Sequence, residues 1–519
     1  MHDKTRVKIL PLLSPVALTV TNLLLLYGEA AFTVPPGEML RPMLVFFAFL
    51  GLLAVPIHLL THDWHWTGIS LGLLAMTLCS SAATFSTLVF FLLVVLLAGG
   101  CLALAFRWLR QMKYATAFFV AASCLSLLLP GIPLGRVFLR LPLTAYRWPD
   151  TGGLPVSLSA PALNPDIYYI VLDAYGREDI LRDYYSFDNS AFISYLTSRG
   201  FVIPMEATSN YPKTVASIVS TLNMDYIADF TRQSGNTASP FWWQLEPYID
   251  HSRVRTALAH EGYEAYAVAT DWDLTDNRTA DHYYGPISFA VDDFDAFVLD
   301  ATPIGQLLGL ISPLGRVRTY EDHNRFTNYN FTSLPEIAKA DGPKFVFAHI
   351  VALHPPFTLD AAGNPVTADR FYAVGETEAY PRTRAQYRDL YAAQLRWINP
   401  RIEKLIDGIL ANSKTPPIIV LLGDHGPGVS PEVETADTTC VRERFSIFSA
   451  YYLPGLDSNA VPPDVSSVNS FRIILNQYFD ARLPLLANTS YFPAEGLYFY
   501  SLEDVTPRLK QSCAAQGLP

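Results

Sequence analysis

The chain has 519 residues, room for two or three domains, and its 50% hydrophobic content and mean hydropathy of +0.20 are high for a soluble protein. The formal net charge of −11 is unevenly divided, with 10 Lys/Arg and 4 Asp/Glu up to Arg147 against 27 and 44 after it. So acidic a second part argues against nucleic acid as a partner, because such binding draws its affinity from neutralised phosphates. It suits a site that requires a cation.

From Ile9 to about Ile132 the sequence is almost continuously apolar. Five spans are predicted, Ile9–Phe32, Leu40–Leu60, Trp66–Ala82, Ser86–Leu109 and Tyr114–Ile132, each near the roughly 20 residues that cross a bilayer core. The third is short. Lys4, Arg6 and Lys8 precede the first span, and Arg107, Arg110 and Lys113 fill the joint between the fourth and fifth, so both positions are expected on the cytoplasmic side. Five spans then place the acidic part outside the cytoplasm. A cleaved signal peptide would be followed by soluble sequence, and here more apolar spans follow instead. The expected organisation is a transmembrane domain over 1–134, a linker rich in Pro, Gly and Arg over 135–163, and an extracytoplasmic domain over 164–519.

In that last domain an apolar run, Ile167–Leu172, ends in Asp173. Further strands are predicted at Tyr263–Thr270, Lys344–Val351, Pro417–Leu422 and Phe445–Leu453. Helical patterns fall at Ser190–Arg199, His251–Glu261, Thr383–Leu410 and Ser467–Phe479, while Asp273–Asn330 follows no clear period. Buried strands alternating with helices predict an α/β/α sandwich with a mainly parallel sheet, whose working residues gather at the carboxyl ends of its strands. Cys79, Cys101 and Cys124 lie in the spans as small packing residues. Cys440 and Cys513 lie in the outer domain, where they are either one disulfide or two buried thiols.

The stretch Pro417–Gly428, PIIVLLGDHGPG, runs from a strand into Asp424 and His425. An adjacent carboxylate and imidazole are two potential ligands for one metal ion, although Asp-His-Gly also makes an ordinary turn. In SNYPKTVASIVSTLNM, Thr214 stands at the opening of a helix, beside unpaired backbone N–H groups and the positive end of the helix dipole. It is either an N-cap or a nucleophile. His354 follows a strand in HIVALHPPF, and Lys213 precedes Thr214. Trp242, Trp243, Trp272 and Tyr211 read as core more readily than as cleft.

The ordered set Asp173, Thr214, His354, Asp424-His425, in IVLDAYGRE, SNYPKTVASIVSTLNM, FAHIVALHPPF and LLGDHGPG, resembles the alkaline phosphatase and sulfatase superfamily. It is most similar to the membrane-anchored phosphotransferases that include lipoteichoic acid synthase and lipid A phosphoethanolamine transferase. The resemblance implies Asp173, Thr214, Asp424 and His425 as ligands of one divalent metal, with Thr214 also the nucleophile and His354 and Lys213 near the substrate phosphate. Two carboxylates, an imidazole and an alkoxide suit zinc or manganese about equally, and magnesium less. The formylglycine motif of sulfatases does not occur around Thr214, and no histidine follows His425, so a single-metal site is expected rather than a two-zinc one.

The resemblance further implies transfer of a phosphoglycerol or phosphoethanolamine type head group from a phospholipid donor to an envelope glycan or lipid-linked sugar, through phospho-Thr214. The location implied is a bacterial plasma (inner) membrane. Two alternatives stay open at this point: a membrane-anchored phosphodiesterase or sulfatase-type hydrolase, and a non-catalytic envelope scaffold.

Overall fold

The structure is a computed structural model and describes residues 10–31, 33–78, 115–131, 134–135, 158, 164–227, 242–286, 292–303, 319–366, 383–428, 435–494 and 502–514. Contacts divide the chain into two units, Met1–Leu141 with Phe289–Val317, and Pro142–Ser288 with Arg318–Pro519.

In the first unit, α1 (Leu13–Ala30), α2 (Leu40–Thr61), α3 (Trp64–Leu78) and α4 (Ala115–Ser126) are apolar helices. Hydroxyl pairs join α1 to α4 through Ser14–Ser123 and Thr21–Ser126. Helix α2 instead exposes Leu44, Leu52, Val55, Leu59 and Leu60, a surface that water disfavours and hydrocarbon does not. Among the described residues two helices, Leu13–Ala30 and Pro36–Thr61, are long and apolar enough to cross a membrane. They coincide with the first two predicted spans. The third and fifth appear as the shorter helices α3 and α4, and the fourth, Ser86–Leu109, lies outside the described residues, as does nearly all of the predicted linker.

The second unit is built on a six-stranded sheet in the order β3-β2-β4-β1-β5-β6. Its strands are β1 (Ile167–Leu172), β2 (Glu264–Val268), β3 (His282–Tyr284), β4 (Lys344–Ile350), β5 (Ile418–Leu422) and β6 (Ser449–Tyr452). All neighbours run parallel except β6, which is antiparallel to β5 at the edge. The central strands are buried on both sides because helices cover both faces, which is why they read as unbroken apolar runs. A two-residue side-chain period sorts them. Ile167, Tyr169 and Val171 of β1, Phe345 and Phe347 of β4 and Ile418, Val420 and Leu422 of β5 pack with α7 (Thr214–Asn223) and α12 (Ser470–Phe479). The alternate residues pack with α5 (Glu178–Tyr185), α6 (Ser190–Ser198), α9 (Tyr320–Ile337) and α10 (Arg384–Asn412).

The sandwich and its mainly parallel sheet are as the alternation predicted. Three details differ. The predicted strand Phe445–Leu453 shortens to Ser449–Tyr452, because Val441–Phe445 forms a short helix, α11, whose Val441 and Phe445 are buried against Phe492 and Val505. The predicted helix His251–Glu261 begins at Arg253, where the Ser252 side chain accepts a hydrogen bond from the Arg255 amide and caps α8 (Arg253–His260). The stretch without a period holds β3, a helix at Asp293–Ala301, and the start of α9, which opens with a capping box between Thr319 and Asp322.

Candidate active site

Register brings the polar residues together. In the sheet Leu172 of β1 pairs with Ile350 of β4, and Val171 with Leu422 of β5, so the three strands end at one level. Asp173 follows β1, His354 follows β4, and Asp424 and His425 follow β5, at the carboxyl edge where parallel sheets carry their chemistry.

Helix α7 delivers Thr214 to this edge. Its sequence TVASIVSTLN has modest intrinsic helix propensity, yet all ten residues are buried, so packing on the sheet holds it. Lys213 is its extended N-cap residue, and the first helical bond runs from the Ser217 amide to the Lys213 carbonyl. The amides of Thr214, Val215 and Ala216 therefore lack partners within the helix. The Ser217 hydroxyl donates to the Asp424 carbonyl, which ties the helix to the loop after β5.

That loop is pressed close to its neighbours. A Cβ on Gly423 would lie 2.4 Å from the Tyr175 carbonyl oxygen, and one on Gly426 would lie 2.0 Å from that of Glu443. Only glycine fits either position. The Ala174 amide donates to Asp424 Oδ1 at 3.0 Å, and Tyr391 holds the turn after β1 by accepting from the Gly176 amide and donating to the Ala174 carbonyl.

The result is a tight polar cluster. His425 Nε2 is 3.2 Å from Thr214 Oγ1, 3.4 Å from Asp424 Oδ2 and 3.7 Å from Asp173 Oδ1. His425 Nδ1 lies 3.0 Å from the Gly426 carbonyl and so carries the proton, leaving Nε2 with its lone pair toward Thr214. Burial, then the positive charge of Arg444, hold this imidazole neutral, well below its ordinary pKa.

His349 joins the cluster from within β4. Its Nδ1 is 2.9 Å from the Thr275 hydroxyl, which itself donates to the Trp272 carbonyl, so His349 Nδ1 is the donor and its Nε2 is bare. That Nε2 lies 3.3 Å from Asp173 Oδ2, and burial lowers the His349 pKa to about 4. Donor atoms of Asp173, His349 and Asp424 lie within 4.8 Å of one another.

The sequence reading missed His349, although a signal existed. It shares strand parity with Phe345 and Phe347, which face α7, as Asp173 shares it with Val171 and Asp424 with Leu422. Also missed were a buried pair, Asp271 after β2 and His323 on α9, at 2.7 Å, and the buried Arg444 on α11. The predicted site residues Asp173, Thr214, Asp424 and His425 all converge. His354 stands nearby, its ring 6.3 Å from that of His425 and its Nδ1 donating to the Pro355 carbonyl. Lys213 holds its Nζ 5.3 Å from the centre of the Trp242 ring, and burial followed by Arg444 lowers its pKa to about 7.

Both Asp173 oxygens, Asp424 Oδ2 and His349 Nε2 are buried without a hydrogen-bond partner among the described residues. Burial raises the Asp173 pKa, and burial followed by the Asp173 charge raises that of Asp424 to about 7. Leaving two such carboxylates bare costs several kcal/mol, and a divalent cation relieves all four atoms at once. The donor set of carboxylates, neutral imidazoles and a hydroxyl therefore fits a metal ion.

An α/β/α sheet that brings a helix-borne hydroxyl beside an Asp/His donor set fitting a metal ion marks the class of the protein as an α/β/α enzyme. More particularly, residues 165–465 match the sulfatase family, and the chain belongs to it. Among solved structures, the chain is similar to the periplasmic domain of EptC from Escherichia coli (13% identity, 68% of this chain and 95% of that one, TM-score 0.42). It is also similar to the integral membrane protein lipooligosaccharide phosphoethanolamine transferase A from Neisseria meningitidis (13% identity, 83% and 79%, TM-score 0.41). A third is the phosphonate monoester hydrolase of Agrobacterium radiobacter (10% identity, 63% and 80%, TM-score 0.39). No curated protein matches the chain by sequence.

Proposed function

We propose that the protein is a membrane-anchored phosphotransferase that moves a phosphate-linked head group, of the phosphoglycerol or phosphoethanolamine type, from a phospholipid to an envelope glycan or lipid-linked sugar. The observation that carries this reading is the position of Thr214, whose hydroxyl opens α7 and lies 3.2 Å from His425 Nε2 beside the Asp173, His349 and Asp424 donors.

Asp173, Asp424, His425 and Thr214 would hold one zinc or manganese ion, with His349 as a further donor the sheet supplies. When bound, the ion provides a Lewis acid for a phosphoryl oxygen and favours the ionised hydroxyl. Thr214 Oγ attacks phosphorus, the bond from phosphorus to the lipid oxygen breaks, and the lipid alcohol leaves with a proton. The acceptor hydroxyl then gives up its proton as it forms a bond to phosphorus, the bond from phosphorus to the Thr214 oxygen breaks, and that oxygen regains a proton as the threonine hydroxyl. The amides of Thr214, Val215 and Ala216, which have no partner within the helix, meet charge developing on the phosphoryl oxygens together with Lys213. His354 stands where it can hold the same group.

The division into a transmembrane domain over 1–134, a linker over 135–163 and a catalytic domain over 164–519 on the outer face of a bacterial inner membrane belongs to this proposal. The apolar first unit, the exposed leucines of α2 and the acidic second part support it. A membrane anchor keeps the site near a donor confined to two dimensions and raises its effective concentration.

The test is mass spectrometry of envelope lipids and glycans from cells carrying the wild-type chain or Thr214→Ala. A phosphate-linked group is expected to disappear from one acceptor in the variant. An unchanged envelope would refute the catalytic role, and accumulation of an intact phosphodiester with no acceptor change would assign hydrolysis instead.

A further inference from the structure

Arg444 is a buried cation whose charge no ion pair answers among the described residues. The residue is 5% exposed, Nε donates to the Pro212 carbonyl at 2.8 Å and Nη1 to the Gly426 carbonyl at 3.0 Å. Those two carbonyls lie two residues before Thr214 and one residue after His425, so the guanidinium plane is fixed between the nucleophile turn and the metal-site loop. Of five N–H donors these bonds use two, and Nη2 has no partner among the described residues. No carboxylate lies within ion-pair distance of it among them. The neighbouring Glu443 is already held by the Tyr185 hydroxyl and Arg384. The positive charge of Arg444 is nevertheless felt by Asp173, His354, His425 and Lys213, in keeping with its place between the two loops.

Buried charges are ordinarily paired. We infer that Arg444 is a catalytic residue that binds a non-bridging phosphoryl oxygen of the substrate and of the phospho-Thr214 intermediate. A planar guanidinium whose free edge is fixed by two backbone bonds suits a phosphoryl group better than a flexible ammonium does. The inference deepens the phosphotransferase reading and rests on it for the identity of the oxyanion.

The test is binding of inorganic phosphate by the full chain in detergent, loaded with zinc, followed by titration calorimetry. Arg444→Gln is expected to weaken phosphate binding by roughly 10–100-fold, the usual worth of a hydrogen bond to a charged group, and Arg444→Lys, which loses the fixed planar fork, by about tenfold. Arg442→Gln removes the half-buried neighbour that pairs with Asp179 and Asp183, and is expected to leave affinity within about twofold. Zinc content and thermal midpoint measured on each variant separate loss of the anion site from loss of the fold. If Arg444→Gln does not fold, Arg444→Lys decides.

Phosphate affinity within threefold of wild type in a folded, zinc-loaded Arg444 variant would overturn the inference. So would a wild-type chain that binds no phosphate. If Thr214→Ala leaves the envelope unchanged while Arg444→Gln abolishes phosphate binding, the anion site stands and the transferase reading falls. If Thr214→Ala abolishes modification while phosphate binding ignores Arg444, only the Arg444 role falls.

Discussion

In the proposed reaction Thr214, Asp424 and Arg444 divide the chemistry between a nucleophile, a ligand and a fixed positive charge. Thr214→Ser keeps the hydroxyl and is expected to retain activity within about tenfold, whereas Thr214→Ala removes the nucleophile and should cost roughly 10³–10⁶-fold in kcat. Steady-state kinetics on a chromogenic phosphodiester would check both. Asp424 supplies a pH dependence whose sign is fixed by its raised pKa. With burial and Asp173 pushing it to about 7, the metal-free site holds a proton that a cation must displace. Zinc affinity should thus fall as pH drops through about 7, by roughly tenfold per pH unit or more because the Asp173 carboxyl is raised as well, with proton release on binding; calorimetry in buffers of different ionisation enthalpy would measure this. A zinc affinity flat from pH 5 to 8 would contradict the raised Asp424 carboxyl.

At the scale of elements, the site depends on how closely the loop after β5 approaches α11. Gly426→Ala would set a Cβ 2.0 Å from a backbone oxygen that cannot swing aside. It is expected to cost on the order of 3 kcal/mol, seen as a thermal midpoint lower by roughly 5–10 °C, and to weaken zinc binding in parallel. An unaltered midpoint with full zinc occupancy would show that α11 can move away. The strands that carry Asp173 and Asp424 were legible as apolar runs ending in acids, since a buried parallel strand leaves that pattern wherever it occurs. Helix α7 was legible from its opening threonine. Helix α11 was not, because Glu443 and Arg444 in VRERF look like a solvated charged turn, and their burial depends on Tyr185, Arg384, Pro212 and Gly426 far away in the chain.

Across the second unit, the bond between Cys440 and Cys513 joins the start of α11 to the C-terminal segment. The sequence left this pair open between a disulfide and two thiols, and the structure forms the bond. Replacing both cysteines with serine is expected to lower stability by about 2–5 kcal/mol and, because α11 carries Arg444, to reduce activity as well. Calorimetric scans and turnover of the double variant would test the two effects together. Activity unchanged at a lowered midpoint would separate α11 from the clamp.

The sequence by itself determined the apolar first part, the acidic second part, the α/β/α class and four of the converging site residues, because hydrophobic period, strand-end acids and helix starts are local signals. Tertiary structure alone decided that His349 turns toward Asp173, that Asp271 pairs with His323, and that Arg444 lies buried between Pro212 and Gly426. Each of those facts depends on which face of the sheet a side chain takes and which distant backbone it meets. A buried imidazole and a buried guanidinium look in sequence like any others until packing removes the water around them.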